Sequence, residues 1–174
     1  MTTTNNSFLP SDYEIKENAG RYFRIQDWES VKIRILGNSV IGWEYFKEKD
    51  WKSVPVRSRK PYQWVPADSK NGDAPKEFWA FCVYNYTAER LQIWEVTQNT
   101  IKKVLFNLNR DPDFGDPKTY DLKITREWKG LETKYQIVPL NKTEFTNKAV
   151  LEELKKVNVE ELFEGWDPFN PQPF

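Results

Sequence analysis

The chain has 174 residues, enough for one domain with a sizeable hydrophobic core. Its 26 basic and 26 acidic residues cancel, which argues against a uniformly basic polyanion binder. The absence of histidine and the single cysteine, Cys82, exclude Ser–His and Cys–His catalysis, an internal disulfide and a Cys/His zinc site.

The first residues, 1–12, are rich in Thr, Asn and Ser and are expected to be mobile. They contain no apolar signal core, and no later run reaches membrane-spanning length, so a cytoplasmic protein is expected, in the host cytoplasm if phage-encoded. A domain is expected over 13–145. Val31, Ile33 and Ile35 alternate with Lys32 and Arg34, the pattern of a half-buried strand. A second strand is expected over 40–46. Residues 47–75 carry Pro55, Pro61, Pro66 and Pro75 and read as a long loop with a basic segment at Arg57, Arg59 and Lys60. Residues 78–86, dense in aromatic and β-branched side chains, predict the strongest strand, with 91–96 returning as its hairpin partner.

Thr97 is a good N-cap residue, and Ile101, Val104, Leu105 and Leu108 recur at helical spacing, predicting a helix over 98–109. Residues 110–119 are turn chemistry. Asp111, Asp113, Asp116 and Asp121 lack EF-hand spacing and read as part of a surface turn, so no metal or cofactor is expected. A second hairpin is expected from 120–127 and 133–140, then a short helix over 146–157. The predicted class is mainly β: an OB-like barrel of about five or six antiparallel strands with one inserted helix and a short C-terminal helix.

Aromatic residues make up 16% of the chain, more than one core of this size needs. Several interleave with cations: Trp51 with Lys52; Tyr62 and Trp64 after Arg57, Arg59 and Lys60; Trp128 and Tyr135 among Lys123, Arg126 and Lys134. Single-stranded nucleic acid needs this pairing, because cations follow phosphates while ring faces stack on unpaired bases. The candidate nucleic-acid contacts are therefore Lys32, Arg34, Arg57, Arg59, Lys60, Lys123, Arg126 and Lys134 for phosphate, and Tyr62, Trp64, Trp79, Phe81 and Trp128 for stacking. No residue is expected to be catalytic, and Cys82, mid-strand among rings, reads as a small core residue. Residues 158–174 hold four acids and no Lys or Arg, leaving 26 basic against 22 acidic residues in the body. Trp166, Asp167, Phe169 and Phe174 are the candidate partner-binding residues of this acidic, aromatic, proline-broken tail; docking of its rings back onto the domain is the alternative.

The final Pro173-Phe174 after an acidic stretch resembles the tail tip of bacterial single-stranded DNA-binding proteins. The segments LPSDYE, VKIRILGNSVIGWEYF, PVRSRKP, KEFWAFCVYNY, LQIWEVTQNTIKKVL and DPDFGDPKTYDLKITR, spanning 9–139, are similar to phage-type single-stranded DNA-binding replication proteins. The resemblance implies an OB-fold protein that coats single-stranded DNA in replication, recombination and repair. It also implies a tail that competes with DNA and recruits a polymerase, helicase or nuclease. This tail departs from the pattern: it is mildly acidic, and Asn-Pro-Gln separates Phe169 from Pro173-Phe174. A carbohydrate-binding module and a phage structural or assembly protein remain alternatives, and RNA binding and a homodimer are left open.

Overall fold

The computed structural model describes residues 20–129 and 131–171. Among these residues the order is β1 (Ser30–Ile35), β2 (Val40–Lys49), β3 (Lys52–Ser58), β4 (Lys76–Asn85), β5 (Arg90–Val96), α1 (Asn99–Arg110), β6 (Tyr120–Lys129), β7 (Glu132–Lys142) and α2 (Lys148–Leu154). Short 3₁₀ turns lie at Lys70–Gly72, Pro117–Thr119 and Val159–Glu164.

The protein is mainly β, with a helix inserted after the fifth strand and another near the C-terminus. The sheet runs β3-β2-β4-β1-β6-β7, with β5 off this path on β4. Its strand pairs are antiparallel. Two expectations change. Seven strands replace five or six, and the sheet does not close into a barrel. The outer edge of β5 is instead met by the segment before β1, through Phe23 N–H to Ile93 O at 2.8 Å and Ile93 N–H to Arg21 O at 2.7 Å.

The strand β4 organises everything else. One edge carries β5 along its length, from Trp79↔Val96 to Asn85↔Arg90. The other is divided, with residues 76–80 pairing β2 and residues 83–85 pairing β1. Because β2 leaves β4 at Glu44 and stays paired to β3 up to Lys49↔Lys52, the β2–β3 hairpin runs on past the sheet as a finger. The region expected to be a loop therefore contains a strand. Asp50 and Trp51, both at positive φ (51° and 65°), make its turn without the Asn or Gly that usually signals one.

Alternation along the strands feeds two cores. Val31, Ile33, Ile35, Phe81, Val83, Trp94, Leu122 and Ile124 pack against Ile101 and Leu105 of α1 on one face. The helix begins one residue later than expected, and its N-cap is Gln98, with no side-chain capping bond, rather than Thr97. On the other face Phe78, Ala80, Cys82, Tyr84, Leu91 and Ile93 are covered by Val150 of α2 and by Leu162, Phe163 and Phe169. Burial at that second core pushes the Cys82 thiol up to about 12, helped by the nearby Glu153 charge, and Cys82 packs as a core side chain.

The C-terminal segment is thus docked through Phe169, against the expectation of a free tail. The Asn158 side chain accepts from Glu160 N–H, and the Asn158 backbone N–H donates to Pro168 O at 2.9 Å. Gly165, at φ 75°, supplies the left-handed residue that ends the 3₁₀ turn. At Gly42 there is no room for a side chain: a Cβ would meet the Phe163 ring at 2.5 Å. The acids are matched by the body's own cations, Asp167 to Arg21 at 2.7 Å and Glu160 to Arg59 at 3.1 Å. Leu162→Ala is therefore expected to lower unfolding free energy in urea by about 2–5 kcal/mol. An undocked segment would show no change.

Candidate nucleic-acid interface

Apart from Arg126, the expected phosphate-binding side chains divide into three groups. The first is structural. Arg34 is 2% exposed and points into the second core, its Nε 2.7 Å from Asp121 Oδ1 and its two terminal nitrogens donating to Thr143 O and Oγ1. Alternation correctly placed it opposite Ile33, but residues 143–145 cover that face. Arg57, expected in an open basic loop, lies in β3 with its side chain 8% exposed, between Glu44 at 3.2 Å and Glu95 at 2.9 Å. Neither can leave its partners to meet phosphate without stranding a buried carboxylate. Phe81 is likewise buried, and Trp79 is half-buried with Lys102 above its ring.

The second group shares the outer face of β1, β6 and β7. Lys32 pairs across from Lys123, and Lys134 from Glu127. All three lysines are exposed, but the ring beside them is Tyr86, 4.2 Å from Lys32 Nζ and itself hydrogen-bonded to Asp121. The third group sits on the β3–β4 connection. Arg59 is engaged by the C-terminal segment, over the Phe163 ring and against Glu160. Tyr62 packs edge-on to Tyr45, while Lys60 and Trp64 are exposed. In the tail, Asp167 and Phe169 are held by Arg21, Trp166 is half exposed, and Phe174 lies outside the described residues.

A better-formed site lies elsewhere. A cavity of about 360 Å³ is lined by Arg24, Phe46, Trp94, Thr97, Arg126 and Tyr135. A second, of about 460 Å³, shares Glu44, Phe46 and Thr97 with it and adds Ser53, Lys70 and Lys76. Adjoining at these residues, they make a groove that runs from the β6–β7 hairpin past β2 to the β3–β4 connection. At one end Arg126 lies across from Tyr135, with its guanidinium against that ring, 3.1 Å from Asp27 and donating to Ile25 O. Exposed Trp28, whose N–H donates to Arg126 O, and exposed Trp128 flank this end. At the other end Phe46 and Ser53 lead along the β2–β3 finger to Trp51, which is fully exposed. Of the expected contacts, the groove takes Arg126 and, at its flank, Trp128. Arg24, Phe46, Trp94, Lys70, Lys76 and Tyr135 were not among them. Phe46 alternates with Tyr45 and could have been found that way, whereas Lys70 and Lys76 reach the groove only through the unforeseen fold of the β3–β4 connection.

Glu44 and Glu95 lie at the bottom of the groove and share Arg57. Burial, then the hydrogen bond to and charge of Glu95, push the Glu44 carboxyl up to about 8, with Arg57 opposing. Glu95 Oε1 is buried with no fixed donor among the described residues, and a proton on Glu44 is the donor the pair needs. With that proton in place, Arg57 neutralises Glu95 and the floor carries no net negative charge. The surrounding cations are then left to attract an anion.

The arrangement brings exposed rings and cations together along one groove. Because the pKa of Glu44 is raised in the folded state, its contribution to stability is full below its ordinary value of 4.5 and is lost as pH rises through about 8. Thermal melts should accordingly show a decline across that window that is flatter in Glu44→Gln. An identical pH profile for that variant would contradict the shared proton. Among the described residues no helix is long and apolar enough to cross a membrane. No protein-family model and no curated protein matches the chain.

Proposed function

We propose that this protein binds single-stranded nucleic acid, coating DNA strands exposed during replication, recombination or repair, and performs no chemistry on them. The observation that carries this reading is the pair of adjoining cavities that meet at Glu44, Phe46 and Thr97, one reaching the β6–β7 hairpin and the other the β3–β4 connection. Its accessible rings, Phe46 and Tyr135, lie among Arg24, Arg126, Lys70 and Lys76, with the buried Trp94 ring beneath them. Unpaired bases stack on such rings at about 1–3 kcal/mol each, and the cations follow the phosphates between them. The sequence resemblance to phage-type single-stranded DNA-binding proteins agrees with this reading and favours DNA over RNA. Recruitment of a replication partner would fall to Trp166 and the terminal Pro173-Phe174, because Asp167 and Phe169 are held against Arg21.

Titration of the intrinsic tryptophan fluorescence with oligo-dT and with duplex of equal length tests the proposal. Oligo-dT should quench strongly and duplex weakly. The four groove cations should give a salt slope of about −3, at roughly −0.7 per phosphate neutralised. Arg126→Ala should make that slope shallower by one such step, while Lys123→Ala should leave it unchanged. Equal quenching by duplex, or none by either, would send the search to glycans or to a second protein.

A further inference from the structure

We propose that the β2–β3 finger reads the junction between single and double strand, with Trp51 stacking on the first base pair of the duplex as the single strand enters the groove. This inference rests on the single-strand reading of the groove. Three observations meet at the finger.

The first is placement. Residues 45–49 and 52–56 pair only with each other beyond Glu44↔Lys76, so the hairpin carries its tip about 17 Å past the edge of the sheet. The groove ends there, along Phe46 and Ser53. The finger is held in position: Lys70 Nζ donates to Ser53 Oγ at 2.8 Å, and the Tyr45 hydroxyl donates to Asp68 at 2.9 Å beneath Tyr62. A held projection at the mouth of a single-strand groove is where a duplex would first be met.

The second is conformation. Trp51 occupies the left-handed region at φ 65°, directly after Asp50 at 51°, in a two-residue turn where Asn-Gly is the unstrained choice. An aromatic residue there is disfavoured by its backbone, and full exposure gives it no packing in return. A strained residue whose side chain does nothing for the fold points to a use outside the fold. A flat indole at the end of a finger has the shape of the apolar wedges that proteins insert at base steps.

The third is charge. Lys47, Lys49 and Lys52 share one face of the finger by alternation and register, and Lys70 lies on the other. Of the two acids, Glu48 is 3.7 Å from Lys70, leaving Asp50 beside Trp51. The face carrying three lysines suits the phosphate backbone of a duplex that passes the tip.

The strain makes Trp51→Gly a clean probe, because glycine relieves the backbone and removes only an exposed ring. Its thermal midpoint should equal or exceed that of the unaltered protein. The DNA probes are an oligo-dT and a duplex carrying an oligo-dT overhang of the same length. The unaltered protein should bind the tailed duplex on the order of tenfold more tightly than the oligo-dT. Trp51→Gly should keep its oligo-dT affinity and lose that preference. Equal affinity of the unaltered protein for both probes would overturn the proposal, as would a preference that survives in Trp51→Gly. Parallel weakening on both probes would make Trp51 an ordinary groove contact, which also overturns it. Failure to bind either probe would overturn the groove reading and this inference with it.

Discussion

The shape of this protein depends on how one edge of β4 is shared. A strand edge offers one row of hydrogen-bonding groups, and β4 gives its first half to β2 and its second half to β1. Since β1 and β2 are joined by residues 36–39, the chain must turn from one half of β4 to the other, and β2 then leaves the sheet with only β3 beside it. The finger, the opening beneath it and the groove that ends on it follow from that division. On the opposite edge β5 pairs with β4 without a break across that division.

A sheet divided in this way has two faces to cover, and the chain covers them with different material. α1 closes one by the 3.6-residue repeat of Ile101, Leu105 and Leu108. The other is closed by α2, the 3₁₀ turn at Val159–Glu164 and the rings of Phe163 and Phe169. This second cover explains the charge asymmetry of the sequence. The acids after Asn158 meet Arg21 and Arg59 of the body, and Arg59 also lies over Phe163. Such exposed pairs add little stability individually, so the rings and Leu162 supply most of the attachment, with the charges favouring its register.

Elements built on strong local patterns were legible: β1 from its alternation, β4 and β5 from dense β-branched and aromatic residues, α1 from its spacing. β3 was not, because Pro55 and a turn made of Asp50 and Trp51 carry none of the usual hairpin chemistry. Site residues were harder for a different reason. Alternation states that Arg34 lies opposite Ile33, but not whether solvent or protein lies there. Arg57 sits in a basic run, yet the two glutamates that claim it come from strands far away in sequence. Arg24 and Trp28 come from the segment before β1 and Tyr135 from β7, and no local spacing could have joined them. Cationic side chains buried against carboxylates (Arg34, Arg57) hold the scaffold, and partly exposed ones form the groove, even where an exposed acid lies beside them, as Asp27 does beside Arg126.

That distinction separates two surfaces on opposite faces of the β6–β7 hairpin: the groove with Arg126 and Tyr135, and the outer face with Lys123 and Lys134. Ultraviolet crosslinking of the full chain to oligo-dT, with the attached residues identified by mass spectrometry, tests which surface meets the strand. Attachment at Phe46, Tyr135 and Trp28 is the outcome predicted here. Attachment confined to Tyr86 and the neighbouring outer face around Lys32 would contradict it.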